Sequence, residues 1–122
     1  MEMTVRAIRG AIQIDRDDPG LMKEAVVELM SEILSSNSLT PKDLISVLFT
    51  CTPDLVSDFP AASARAMGME RVPLICAVEM AVPHSLPRTI RTLVHCHTPR
   101  EQEEISHIYL RGAVTLRKDI AQ

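Results

Sequence analysis

The sequence contains no tryptophan, one tyrosine (Tyr109) and two phenylalanines (Phe49, Phe59), so aromatic residues make up only 2% of its 122 positions. A core built without large rings must be filled by aliphatic side chains and by the seven methionines. Small domains so short of large anchors often gain stability by oligomerising. Basic runs interleaved with aromatics are also missing: thirteen Lys and Arg are scattered among sixteen acidic residues for a net charge of −3. Nucleic-acid binding is therefore not expected. No apolar run reaches the roughly eighteen residues a membrane span needs, and the N-terminus lacks a charged-then-apolar leader. A cytoplasmic location is the default.

Cysteine usage is equally spare. Cys51, Cys76 and Cys96 are odd in number, lie in apolar strand-like stretches and show no Cys-x-x-Cys spacing. That argues against a disulfide framework or a zinc knuckle and leaves reduced thiols as the expectation. His95, Cys96 and His97 stand together, but on a strand the two imidazoles point one way and the thiol the other. A structural or exposed-edge role outweighs a metal site, and no cofactor is called for.

Hydrophobic residues make up 46% of the chain, which suits one domain, residues 1–122, with a modest core. VRAIRGAIQI alternates within a first strand, roughly Met3 to Ile14, where Gly10 marks a bulge or a close backbone approach. Asp18 and Pro19 start a helix as N-cap carboxylate and first-turn proline. Leu21, Met22, Ala25, Val26, Leu29, Met30, Ile33 and Leu34 then repeat at three and four, giving one apolar stripe that SSNS closes. Thr40 and Pro41 open a short turn through Asp43, LISVLFTC reads as a second strand, and Pro60 opens a second helix that Gly68 closes. HIYLRGAVTL reads as the last strand and KDIAQ as a frayed end. The order β, α, β, α, β, β, β predicts an α+β fold: a mixed sheet with two helices on one face. The other face is apolar too, so a partner subunit should cover it.

Charge appears where that pattern does not ask for it. Val72 to Met80 reads as a strand without alternation, expected to be covered on both faces, and it ends on Glu79. A second strand opens at Thr89 with Arg91 near its start. A carboxylate there must find donors or neutralise. A buried Glu79–Arg91 salt bridge is the plainest explanation. Arg9 and Arg117, on similar strands, supply more cations than one carboxylate needs.

Five stretches in this order resemble the small trimeric chorismate mutases that form a pseudo-α/β-barrel, as distinct from the all-helical chorismate mutases. They are IRGA at 8–11, TPDL with FPA within 52–61, VPLICAVEM at 72–80, LPRTIR at 86–91 and HIYLRGAVTLRKD at 107–119. The resemblance, from Val5 to Asp119, implies a homotrimer that converts chorismate to prephenate in phenylalanine and tyrosine biosynthesis, at clefts between subunits. It assigns Arg9 and Arg91 as the main cationic contacts, Glu79 as acceptor for the substrate hydroxyl, and Cys76 and Tyr109 as further polar wall. Phe59, Ala61, Leu74 and Leu116 become apolar wall, and Arg65 and Arg117 outer positive charges. Where the family pattern often has Lys after FPA this chain has Ala62, and Ile75 stands beside the pocket Cys where Thr is common.

The chemistry so implied fits these residue types. A dicarboxylate suits two guanidinium forks able to bind bidentately. A pericyclic rearrangement needs no nucleophile, metal or cofactor, so its catalysis must come from geometry and field. Arg91 is expected to meet the negative charge that grows on the ether oxygen as the C–O bond breaks. A non-catalytic trimeric module binding a small carboxylate at the same clefts is the alternative.

Overall fold

A computed structural model of the chain describes residues 2–119. Five strands form one mixed sheet: β1 (Thr4–Gln13), β2 (Leu44–Cys51), β3 (Leu74–Val78), β4 (Thr89–Thr98) and β5 (Ile108–Leu110), arranged β3-β2-β4-β1-β5. β4 lies antiparallel between β1 and β2, while β5 and β3 add as parallel edges. Two helices, α1 (Pro19–Ser36) and α2 (Pro60–Ala64), complete the fold.

α1 forms where capping and periodicity agree. Asp18 Oδ2 accepts the Leu21 amide at 2.9 Å, and Pro19 occupies a position whose N–H would go unpaired. Met22, Ala25, Val26, Leu29, Met30 and Ile33 are all buried against the sheet. Each such side chain contributes about 1.5–3 kcal/mol relative to exposure. The helix ends without glycine: Ser38 takes the left-handed conformation (φ 54°), and the Leu39 amide reaches back to Leu34 O at 2.9 Å. Buried Asn37 seals this end, donating to Ile33 O and Ser106 O and accepting the Ser106 amide, which ties α1 to the segment leading into β5.

The alternation of β1 decides which face carries what. Ile8, Gly10 and Ile12 are buried toward the helices, while Val5, Ala7 and Arg9 lie on the other face. Gly10 is a close approach rather than a bulge: its pairing with Thr92 is regular, and a Cβ there would sit 2.8 Å from Ile33 Cδ1. The irregular step falls in β2, between Leu44 and Ser46. On the core side Val47 and Phe49 are buried, and on the open side stand Leu48 and Thr50.

Three expectations need correction. The Val72 to Met80 strand is shorter, Leu74–Val78, and it is an edge strand, not one covered on both faces of this chain. Its unbroken apolar run misled because Ile75 is 64% exposed and Val78 is exposed too. The last strand covers only Ile108–Leu110; Arg111 turns left-handed (φ 55°) and Arg111–Leu116 winds into a 3₁₀ helix that packs Ala113 beside Tyr109. The helix that Pro60 opens stays α-helical only to Ala64 instead of running to Gly68; it continues as a wide turn, Arg65–Met69, inside which Gly68 takes a non-helical backbone (φ 112°). Of the KDIAQ end, residues 120–122 lie outside the described residues.

Candidate active site

Strand parity brings charge to one end of the open sheet face. Across the sheet Leu48, Leu93 and Arg9 form one row, and Thr50, Arg91, Ala11 and Tyr109 form the next. Side chains paired this way share a face, so Arg9 and Arg91 are near neighbours despite the sequence distance between them. Glu79 arrives from the third direction. Its amide donates to Cys51 O at 2.8 Å, one step past the end of β3, and its side chain turns over β2. Arg9, Leu48, Thr50, Glu79, Arg91 and Leu93 line a hollow of about 220 Å³.

Within it, Thr50 Oγ1 donates to Glu79 Oε2 at 2.5 Å, and Arg91 Nε lies 3.6 Å from the same oxygen. The expected Glu79–Arg91 pair is therefore present but loose and half-exposed, with the Arg91 side chain 46% accessible. Exposed pairs of this kind add little to stability.

The approach of β4 to this point is pinned by a small polar network. Thr52 and Thr89 bond to each other twice, Thr52 N–H to Thr89 O and Thr89 N–H to Thr52 Oγ1, both at 3.0 Å. The Thr52 hydroxyl donates to Asp54, whose carboxylate also accepts the Arg88 amide at 3.0 Å. Arg88 adopts a left-handed backbone (φ 51°), a costly choice for a residue with a Cβ, and returns its Nε–H to Ile14 O at 3.0 Å. The TPD triplet thereby fixes the strand start at Thr89, two residues before Arg91.

Arg9 is held from the other side. Its backbone N–H donates to His107 Nδ1 at 2.9 Å, where β5 has not yet begun to pair. Burial first, then the Arg9 and Arg117 cations, push the His107 pKa down, which favours the neutral imidazole that can accept. Arg117 itself is paired with Asp119 at 2.8 Å. Tyr109 is 5% exposed, separated from Arg91 in its row only by the Ala11 methyl, with Leu116 packed near it.

Other residues expected at the site fall elsewhere on this chain. Phe59 and Cys76 line a second hollow of about 450 Å³ beside edge strand β3, together with Cys51, Val56, Pro60 and Val78. Ala61 is buried in α2, Arg65 is exposed at its end, and Leu74 packs against the core. Ile75 projects from the open face in the Leu48 row. Cys51 is no nucleophile: burial, reinforced by Cys76 and nearby carboxylates, pushes its thiol up to about 12. Cys96 is wholly buried on the core face, with His95 and His97 on the other, and no group of three or more potential metal-binding side chains clusters among the described residues.

Sequence reasoning missed Thr50, His107 and the Thr52–Asp54 clasp. Thr50 was within reach, since the parity of LISVLFTC sets it opposite Val47 and Phe49. His107 gave no signal, because a side chain standing in for a strand partner cannot be foreseen from spacing.

An α+β domain with a cation-rich hollow on an uncovered sheet face is thus the class of molecule that fold and site define. Residues 5–120 match the profile of the family described as chorismate mutase type I. The chain is 47% identical over 117 residues to the chorismate mutase AroH of Thermus thermophilus, covering 95% of this chain and 96% of that protein. It is 35% identical over 120 residues to the AroH of Bacillus subtilis strain 168, covering 98% and 94%. A solved chorismate mutase from Clostridium thermocellum superposes with a TM-score of 0.89 at 37% identity, over 90% of this chain and 98% of that one. The chain belongs to the chorismate mutase type I family.

Proposed function

We propose that the protein rearranges chorismate to prephenate, an isomerase reaction on the route to phenylalanine and tyrosine, with Arg9, Glu79 and Arg91 as the groups that touch substrate. The observation that carries this reading is the meeting of those three side chains, from β1, β4 and the residue just past β3, in one hollow. Two guanidiniums suit the two carboxylates of the substrate, and a carboxylate between them suits its ring hydroxyl. Clamping both ends brings the enolpyruvyl arm over the ring, an orientation effect. As the C–O bond breaks ahead of C–C bond formation, Arg91 meets the charge growing on the ether oxygen. The transition state is stabilised more than the ground state.

The whole chain, residues 1–122, acts as one domain and assembles as a homotrimer. Two features support that assembly. The open sheet face, edge strand β3 and the loop before α2 expose Val5, Leu48, Val56, Phe59, Ile75 and Val78, an apolar surface that water does not favour. The expected site residues also divide between two hollows on one chain, Arg9, Glu79 and Arg91 in one, Phe59 and Cys76 in the other. Joining the second hollow of one subunit to the first of its neighbour completes a cleft. Phe59, Ala61, Leu74, Ile75 and Leu116 then serve as apolar wall, Cys76 and Tyr109 as polar wall, and Arg65 and Arg117 as outer cations. No helix among the described residues is long and apolar enough to cross a membrane, and the site of action is the cytoplasm.

The test is ultraviolet loss of chorismate with purified protein of confirmed trimeric mass. Prephenate should form without added metal or cofactor. Saturable binding without turnover contradicts the proposal.

A further inference from the structure

Glu79 can take a substrate hydroxyl only if it is kept from closing on Arg91, its nearest cation. A free glutamate beside an arginine would rotate into a two-bond pair at about 2.7–2.9 Å and occupy donors that the substrate needs. The shortest separation is 3.6 Å, from Arg91 Nε to Oε2, and no hydrogen bond forms between the two side chains among the described residues. That same oxygen takes the Thr50 hydroxyl at 2.5 Å, and no hydrogen bond among the described residues engages Oε1. Thr50 is suited to hold a carboxylate still. It is β-branched, hence stiff at χ1, it stands on an interior strand, and it is the direct cross-strand partner of Arg91. Its Oγ1 is fixed between the two charged groups by the β2–β4 register rather than by a mobile loop.

We infer that Thr50 is the positioning residue of the site: its hydroxyl holds Glu79 Oε2, leaves Oε1 turned to the substrate hydroxyl, and keeps the Arg91 fork open. The inference rests on the chorismate reading above and adds a residue to it. Thr50 acts through Glu79 and does not itself react.

The experiment compares wild type, Thr50→Val, Thr50→Ser and Glu79→Ala, each checked for trimeric mass and melting temperature, with Thr50→Ala in place of Val should the latter not fold. Thr50→Val keeps the shape and removes the donor. Loss of a hydrogen bond to a charged group predicts a fall in kcat/KM on the order of tenfold to a hundredfold, and Thr50→Ser recovers most of it. The loss should vanish when Thr50→Val is made in the Glu79→Ala background, where the hydroxyl has no side-chain acceptor left at that position. An equal loss in both backgrounds, or an unaffected Thr50→Val enzyme, overturns the inference while leaving the chorismate reading intact. A wild type that does not turn over chorismate removes both.

Discussion

The Arg91 guanidinium, on β4, stops 3.6 Å from the carboxylate of Glu79, which follows the end of β3. A pair evolved for stability would be closer and drier, because half-exposed ion pairs add at most about 1 kcal/mol. The spacing makes sense for two groups that share a third partner. Glu79 is meanwhile satisfied by Thr50, so neither residue waits for the other.

Arg9 should matter through binding geometry. Replacing it with Ala removes a charge-assisted contact to a carboxylate, which predicts a rise in KM on the order of tenfold to a hundredfold. Arg9→Lys should restore little of it, since an ammonium cannot reproduce the planar two-donor fork. Steady-state kinetics on the two variants decide the point. A Lys variant equal to wild type speaks against bidentate recognition.

Gly10 is required by packing, not by backbone freedom. A methyl there meets Ile33 Cδ1 at 2.8 Å and Thr92 Cγ2 at 3.1 Å, with Leu29 also close. Gly10→Ala should therefore cost about 1–3 kcal/mol as an overpacked core, measured by urea denaturation. The neighbouring Arg9 should move with it, so activity falls as well.

His107 predicts a dependence on pH. Its folded pKa lies below the ordinary 6.5 because of burial, then Arg9, then Arg117; Asp119, paired with Arg117, is the acidic group at the same corner. A histidine with a depressed folded pKa contributes stability that is fully present above its unfolded value and lost as pH falls through the folded one. Stability should thus decline as pH drops below about 6.5, and His107→Gln should flatten that part of the profile. Denaturation midpoints between pH 7.5 and pH 5 check it. An identical slope in both proteins would count against the role of the Arg9 N–H bond.

Much of this arrangement could be read from local chemistry. The Asp18–Pro19 cap and the stripe from Met22 to Ile33 made α1 legible, and the alternation of VRAIRGAIQI marked the first strand. Glu79 and Arg91 stood out because charge at the ends of apolar strands is costly. What failed was long-range: an apolar run at Leu74–Val78 looks the same whether its own chain or a neighbour covers it. Likewise LRGAVTL carries strand-like residues, and only the left-handed turn at Arg111, with Ala113 packed beside Tyr109, winds it into a 3₁₀ helix. Thr50 and His107 gain their roles from register across the sheet, which no single stretch of sequence contains.

The most direct measurement is the kcat of Arg91→Met, which keeps the apolar stem and removes the charge, set beside its affinity for prephenate. A cation that meets charge only in the transition state predicts a fall in kcat of roughly 10²–10³, well beyond any loss of product binding, in a protein that stays folded and trimeric. Turnover of chorismate by Arg91→Met at close to the wild-type kcat would contradict the account.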